Sequence, residues 1–291
     1  MTGQALNPTH QPMKPQYLTF AFFFFILWGA KAQEKEGTDS PTAFFPKVEI
    51  QPEAIPDKEN VWVFILAGQS NMAGRGKVEP SDTIPDPRIL SINKNGELIL
   101  AKEPLHFYEP RMGGLDCGLS FAKALLPAVP DSVSLLILPT AVGGSAIGQW
   151  IHDETFRDVP LLSNFKEKAA IGKQYGTIKG ILWHQGENDA IKPETIAVHQ
   201  QQLKKLFKIF RKEVGNRKLP VFLGELGSFS ANDENWQKIN AQIQKFVAND
   251  RHAYLIKTAD LNHNGDRIHF DSEGLRRMGE RFAQAYIRQM R

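Results

Sequence analysis

Val61-Trp62-Val63-Phe64-Ile65-Leu66-Ala67-Gly68-Gln69-Ser70-Asn71-Met72-Ala73-Gly74 is the stretch on which the fold turns. Its first six residues are all apolar. A run this short, with no polar side, reads as a strand buried on both faces of a parallel sheet. Gly68 stops the run and permits a tight turn. Ser70 then stands just past the strand end, where a helix begins. A serine in that position either caps the helix or lies where backbone N–H groups favour a developing oxyanion.

The same pattern recurs further along the chain. Leu135–Leu138, Ile178–Trp183, Val221–Leu223 and Tyr254–Ile256 are further short apolar runs, and helical stripes lie between them. Leu119, Ala122, Leu125 and Leu126 share one face. Leu203, Leu206, Phe207 and Phe210 lie opposite Lys204, Lys205, Lys208 and Arg211, with Pro193 starting that helix and Gly215 ending it. Trp236, Ile239, Ile243 and Phe246 form a third stripe, and Leu275, Met278, Phe282 and Ile287 a last one. Strands alternating with helices predict βαβ units with right-handed crossovers, hence one doubly wound α/β domain over 61–291. Its ligand site belongs at the carboxyl ends of the strands. Residues 77–111 are poor in pattern and read as loops with a short hairpin around Asn95-Gly96.

The whole chain bounds what this domain does. Its 291 residues are 42% hydrophobic and 23% charged, ordinary values for a globular protein. A formal net charge of +3, with no basic run, argues against a nucleic-acid partner. Lys14, the apolar run Leu18–Trp28 and Ala30-Lys31-Ala32 read as the n-region, h-region and cleavage site of a signal peptide over 1–32. The run is too short to span a bilayer, so no stable membrane anchor is expected after cleavage. Met13-Lys14 would be a more typical start than Met1. Loss of 1–32 removes two lysines and no acidic residue, lowering the charge from +3 by two. Residues 33–60, rich in Pro, Glu, Lys and Asp, read as a linker and N-terminal extension. Cys117 is the one cysteine, so an exported core must hold without an internal disulfide.

Three more segments at strand ends carry chemistry. Gly143 and Gly144, within Thr140–Trp150, allow a backbone N–H to approach a ligand closely. Trp150 suits either stacking on a sugar or packing. Trp183-His184-Gln185-Gly186-Glu187-Asn188-Asp189 follows a buried strand with polar and small residues that require a partner network or a ligand. In Asp266-Arg267-Ile268-His269-Phe270 a tight turn lets Asp266 accept from one imidazole nitrogen of His269, leaving the other as a base. Asp260, Asn262, Asn264, Gly265 and Asp271 match much of a calcium loop. The final Asp in place of Glu and the preceding strand argue against calcium, and no metal or cofactor is expected. Together the segments assemble a nucleophile, a glycine N–H, an amide and a His/Asp pair on one sheet edge, as acyl transfer requires.

Four motifs carry a resemblance to a known family. GQSNMAG at 68–74, GGSAIGQW at 143–150, WHQGENDA at 183–190 and DRIHF at 266–270 resemble, in that order, the SGNH-type esterases. Within them, the chain resembles the sialate O-acetylesterase and acetylxylan esterase group, carbohydrate esterase family six. The resemblance implies a flavodoxin-like three-layer α/β/α sandwich with a mainly parallel five-stranded sheet. It implies an acetylated carbohydrate as substrate and removal of its acetyl group. It makes Ser70 the nucleophile, His269 the base and Asp266 its orienter. The oxyanion donors would be the Ser70 N–H, the Gly144 N–H and the Gln185 amide, with Gly143 an alternative to Gly144. Glu187 either orients His269 in place of Asp266 or supports the Gln185 loop. Asn71 and Asp189 complete the supporting set. A general or lipase-like esterase and a non-catalytic glycan-binding protein are the competing readings.

Overall fold

The computed structural model describes residues 49–290. The signal-peptide reading of 1–32 lies outside the described residues, as does most of the extension over 33–60. Where the extension is described, Leu100 N–H donates to the Ile50 carbonyl at 2.8 Å, so it docks along a sheet edge.

The strand β1 is Val61–Gly68, and the one-turn helix α1, Ser70–Ala73, follows it directly. Then come β2 (Ile89–Ile92), β3 (Leu98–Leu100), α2 (Gly118–Leu125), β4 (Ser134–Pro139) and α3 (Ile147–Ile151). A two-residue hairpin, β5 (Thr155–Phe156) and β6 (Val159–Pro160), leads into α4 (Leu161–Tyr175). The rest alternates: β7 (Thr177–His184), α5 (Pro193–Val214), β8 (Val221–Gly224), α6 (Asp233–Ala248), β9 (Ala253–Ile256) and α7 (Ser272–Met290).

The main sheet has seven strands in the order β3-β2-β4-β1-β7-β8-β9. All its pairings are parallel except β2 with β3. The five expected strands are there, so the correction is to the count. The hairpin expected around Asn95-Gly96 is β2–β3, and beyond that expectation it extends the sheet: Ile89 and Leu90 pair with Leu135 and Leu136 of β4. Ser91 interrupts the apolar run and hides this strand from a sequence reading. In the structure its buried hydroxyl donates to the Ile137 carbonyl at 2.9 Å, so the polar group is satisfied.

Alternate residues of β1 face two cores. Phe64 and Leu66 pack among Leu119, Phe121, Met278 and Phe282 of α2 and α7. Val63 and Ile65 pack among Phe165, Leu203, Phe210 and Ile239 of α4, α5 and α6. This is the three-layer sandwich. Helix α5 begins at Pro193 and ends at Gly215, which takes the left-handed φ of +81° that a C-terminal glycine adopts at low cost. From β1 the chain builds outward to β4 on one side and to β7 on the other. A crevice therefore opens above the carboxyl end of β1, where Ser70 sits.

Candidate active site

Gly68 sets the turn that presents Ser70. Its φ is +136°, and a Cβ there would stand 2.1 Å from the His184 carbonyl oxygen. The carbonyl of Gln69 accepts from Met72 and Ala73 N–H, closing the short helix. Among the described residues, no hydrogen bond engages the Ser70 N–H.

His269 reaches this turn from 199 residues away. Its Nε2 lies 2.9 Å from Ser70 Oγ, and its Nδ1 lies 2.6 Å from Asp266 Oδ2. With Nδ1–H donated to the carboxylate, Nε2 is left to accept the serine hydroxyl. Partial burial pushes the Asp266 carboxyl up, but donation from the His269 backbone and ring and from the Ile268 N–H outweighs it. The net result is a carboxyl held below its usual value.

Asn71 clamps the two halves together. Its Oδ1 accepts from Phe270 N–H at 3.0 Å, and its Nδ2 donates to Glu187 Oε1 at 2.6 Å and to the Ile268 carbonyl at 3.2 Å. The Glu187 carboxylate is thus engaged by Asn71, not by His269. Asp189 Oδ2 accepts from Gln185 Nε2 and, at 3.0 Å, from Ile147 N–H, tying the segment after β7 to the start of α3. Burial raises the Asp189 carboxyl, against the lowering effect of these two donors.

The paired glycines separate. Gly143 N–H donates to Glu109 Oε2 at 2.7 Å. Gly144, at φ +81°, accepts through its carbonyl from Asn188 Nδ2 at 2.7 Å, and its N–H has no partner among the described residues. Gly144 is therefore the one with a free donor.

Gln185 departs from expectation. It is fully buried and does not line the cavity. Three acceptors surround its Nε2: Asp189, the Ser145 carbonyl at 3.2 Å and Gln69 Oε1 at 3.3 Å. Trp150 is likewise fully buried. It packs edge-on to Trp183 and donates to Ser145 Oγ at 2.8 Å, so it stacks on no sugar.

A cavity of about 420 Å³ opens over Ser70 and His269. Its polar lining includes Gln69, Asn188, Arg75 and Arg157, with the Gly144 backbone. Met112, Ile191, Trp236 and Ile268 are among its apolar lining. A sequence reading missed Gln69 and Asn188 although both lie inside the motifs, beside residues it chose. Arg157 carried no signal. It sits in the β5–β6 turn with φ +49°, followed by Asp158 at +62°, a left-handed pair at positions usually given to Asn-Gly. Arg157 Nη1 donates to Glu109 Oε1 at 2.6 Å, and Arg75 Nη2 donates to the same oxygen at 2.9 Å. Burial works against the Glu109 charge, but Arg75, the Gly143 N–H and Arg157 hold its carboxyl below the usual range.

In the segment resembling a calcium loop, Asp260 instead pairs with both terminal nitrogens of Arg281 at 2.7 and 2.6 Å. Among the described residues, no group of three or more His, Cys, Asp or Glu side chains is arranged to hold a metal.

A serine, a histidine and an aspartate in line at the carboxyl edge of a parallel sheet are the arrangement that serine hydrolases use. The profile of a family described as "Carbohydrate esterase, sialic acid-specific acetylesterase" matches residues 60–288. The chain belongs to that family of carboxylic ester hydrolases, which remove O-acetyl groups from carbohydrates. It is 27% identical over 258 residues to a probable carbohydrate esterase of Arabidopsis thaliana, covering 83% of this chain and 94% of the relative. It is 24% identical over 206 residues to a probable 9-O-acetyl-N-acetylneuraminic acid deacetylase of Escherichia coli, covering 55% and 63%. Among solved structures, an Arabidopsis thaliana protein superposes with a TM-score of 0.70 at 25% identity, covering 79% of this chain and 98% of that one. NanS superposes at 0.65 with 18% identity, covering 81% and 99%, which bears on the fold alone.

Proposed function

We propose that the chain removes O-acetyl groups from carbohydrates by a serine mechanism. His269 Nε2 takes the Ser70 proton as Oγ attacks the acetyl carbonyl. The N–H groups of Ser70 and Gly144 receive the oxyanion. His269 then returns the proton to the departing sugar oxygen, leaving acetyl-Ser70. Water, deprotonated by the same imidazole, adds to that ester, and the imidazolium returns the proton to Ser70 Oγ as acetate leaves. Asp266 keeps the proton on Nδ1 and stabilises the imidazolium formed in each step. The observation that carries this reading is the continuous line from Ser70 Oγ to His269 to Asp266, at 2.9 and 2.6 Å, opening on a cavity.

The family and the Escherichia coli relative favour an O-acetylated sialic acid as the sugar. The half-exposed guanidinium of Arg157 supports the same choice, because it offers a cationic edge to a carboxylate-bearing sugar. Acetylated xylan, a neutral polymer, ranks second. Acetate release from the two, beside a Ser70→Ala variant, tests both points. We expect release to be greater from the sialic acid and to vanish in the variant. Release that persists in Ser70→Ala refutes the nucleophile. Export is part of the same reading, through cleavage after Ala32; a secreted product whose first residue is not Gln33 refutes that site.

A further inference from the structure

An amide can serve as an oxyanion donor only if its nitrogen faces the reacting oxygen. Two glutamines lie close together here, and their hydrogen bonds fix which way each amide is turned. Three acceptors converge on Gln185 Nε2, namely Asp189, the Ser145 carbonyl and Gln69 Oε1. Reversing that amide would set its oxygen against three oxygens. The nitrogen is thus held away from the cavity, and a carbonyl oxygen cannot take over as donor.

Gln69 shows the opposite arrangement. Three donors converge on its Oε1: Gln185 Nε2 at 3.3 Å, Asn188 N–H at 3.4 Å and Gly186 N–H at 3.5 Å. Each contact is long, but all three are donors, so only the oxygen can face them. Its Nε2 is therefore turned the other way. There it meets no acceptor among the described residues, and it is not one of the enclosed polar atoms that lack a partner. Gln69 lines the cavity together with Ser70, Gly144 and His269. Its backbone is pinned on both sides, with N–H donating to the His184 carbonyl at 2.9 Å and the carbonyl closing α1. A donor this constrained, one residue before the nucleophile, costs little reorganisation when charge develops.

We propose that the side-chain amide of Gln69, rather than that of Gln185, is the third donor to the oxyanion, beside the N–H groups of Ser70 and Gly144. The chain Asp189–Gln185–Gln69 then acts as a brace: Asp189 orients Gln185, and Gln185 orients Gln69. This inference rests on the serine mechanism above.

Gln69→Glu tests it. The carboxylate keeps an oxygen for the three donors and removes the N–H pair from the cavity. At neutral pH we expect kcat for acetate release to fall about 100- to 1000-fold, with KM within a few fold and Tm unchanged. As pH falls and the introduced acid takes up a proton, its O–H restores a donor. The ratio of variant to wild-type kcat therefore rises in acid. A side chain that merely holds the turn gives no such rescue. Gln69→Met, with no donor in any state, should lose activity at every pH. It should also slow the labelling of Ser70 by an acetyl-mimicking phosphonate, whose oxygen enters the same hole. A Gln69→Glu enzyme with wild-type kcat overturns the inference while the serine mechanism stands. So does a loss with no recovery in acid, accompanied by a lowered Tm. If Gln69→Glu does not fold, unchanged phosphonate labelling in Gln69→Met overturns it. A wild type inert to both ester and phosphonate removes the mechanism and this inference together.

Discussion

Among the described residues, two His–Asp pairs have nearly the same geometry. In the first, His269 Nδ1 lies 2.6 Å from Asp266 Oδ2; in the second, His106 Nδ1 lies 2.8 Å from Asp116 Oδ2. They differ in burial and in what the other ring nitrogen meets. The Asp266 side chain is 40% exposed, whereas that of Asp116 is fully enclosed. His269 Nε2 faces the Ser70 hydroxyl, but His106 Nε2 accepts from Ala141 N–H at 3.1 Å. The first ring has a lone pair directed at a movable proton. In the second, both nitrogens are already engaged. A His–Asp pair is therefore not a base in itself; the group opposite the second nitrogen decides. His106–Asp116 instead ties the segment after β3 to the loop that carries Gly143 and Gly144.

Substitutions that treat the two pairs alike should separate them. The largest effect is expected for His269→Gln, which should lower kcat by about 10⁴-fold or more with little change in Tm. Steady-state acetate release checks this, and a near-normal rate would put His269 on the same footing as His106. Asp266→Asn should lower kcat by roughly 10³- to 10⁴-fold, because the proton is no longer held on Nδ1. The same variant has a smaller second consequence. Because the folded-state carboxyl of Asp266 is lowered, its contribution to stability is present above the ordinary carboxylate range. That contribution is lost as pH falls through the lowered value. Denaturation curves of wild type and Asp266→Asn should therefore differ slightly near neutrality and converge in acid. In the buried pair the emphasis reverses. Asp116→Ala leaves His106 Nδ1–H and the Gly118 N–H without acceptors and should cost about 3 kcal/mol of stability. The folded fraction should keep nearly full turnover. A large loss of kcat at unchanged stability would make the second pair a participant in the reaction.

Much of this site can be read from residue order because its parts follow local rules. An apolar run stopped by a glycine marks β1 and its turn, and a three-residue reach makes Asp266 the partner of His269. The helical stripes of α5 and α6 are readable for the same reason, since Leu203, Leu206, Phe207, Phe210, Ile239 and Ile243 all face the core. The outer hairpin β2–β3 was not readable as part of the sheet. Ser91 breaks its apolar run, and its place beside β4 depends on a pairing 46 residues away.

Residue types and their spacing were enough to set Ser70 just past a strand end and Asp266 within a tight turn of His269, while the roles of all three came from the family resemblance. Which glycine has a free N–H was settled by Glu109, 34 residues from Gly143. Which glutamine faces the cavity was settled by acceptors on Asp189 and Ser145 and by donors on Gly186 and Asn188. The direction of an amide or an N–H is a property of its surroundings. Those surroundings form only when strands far apart in the chain are brought side by side.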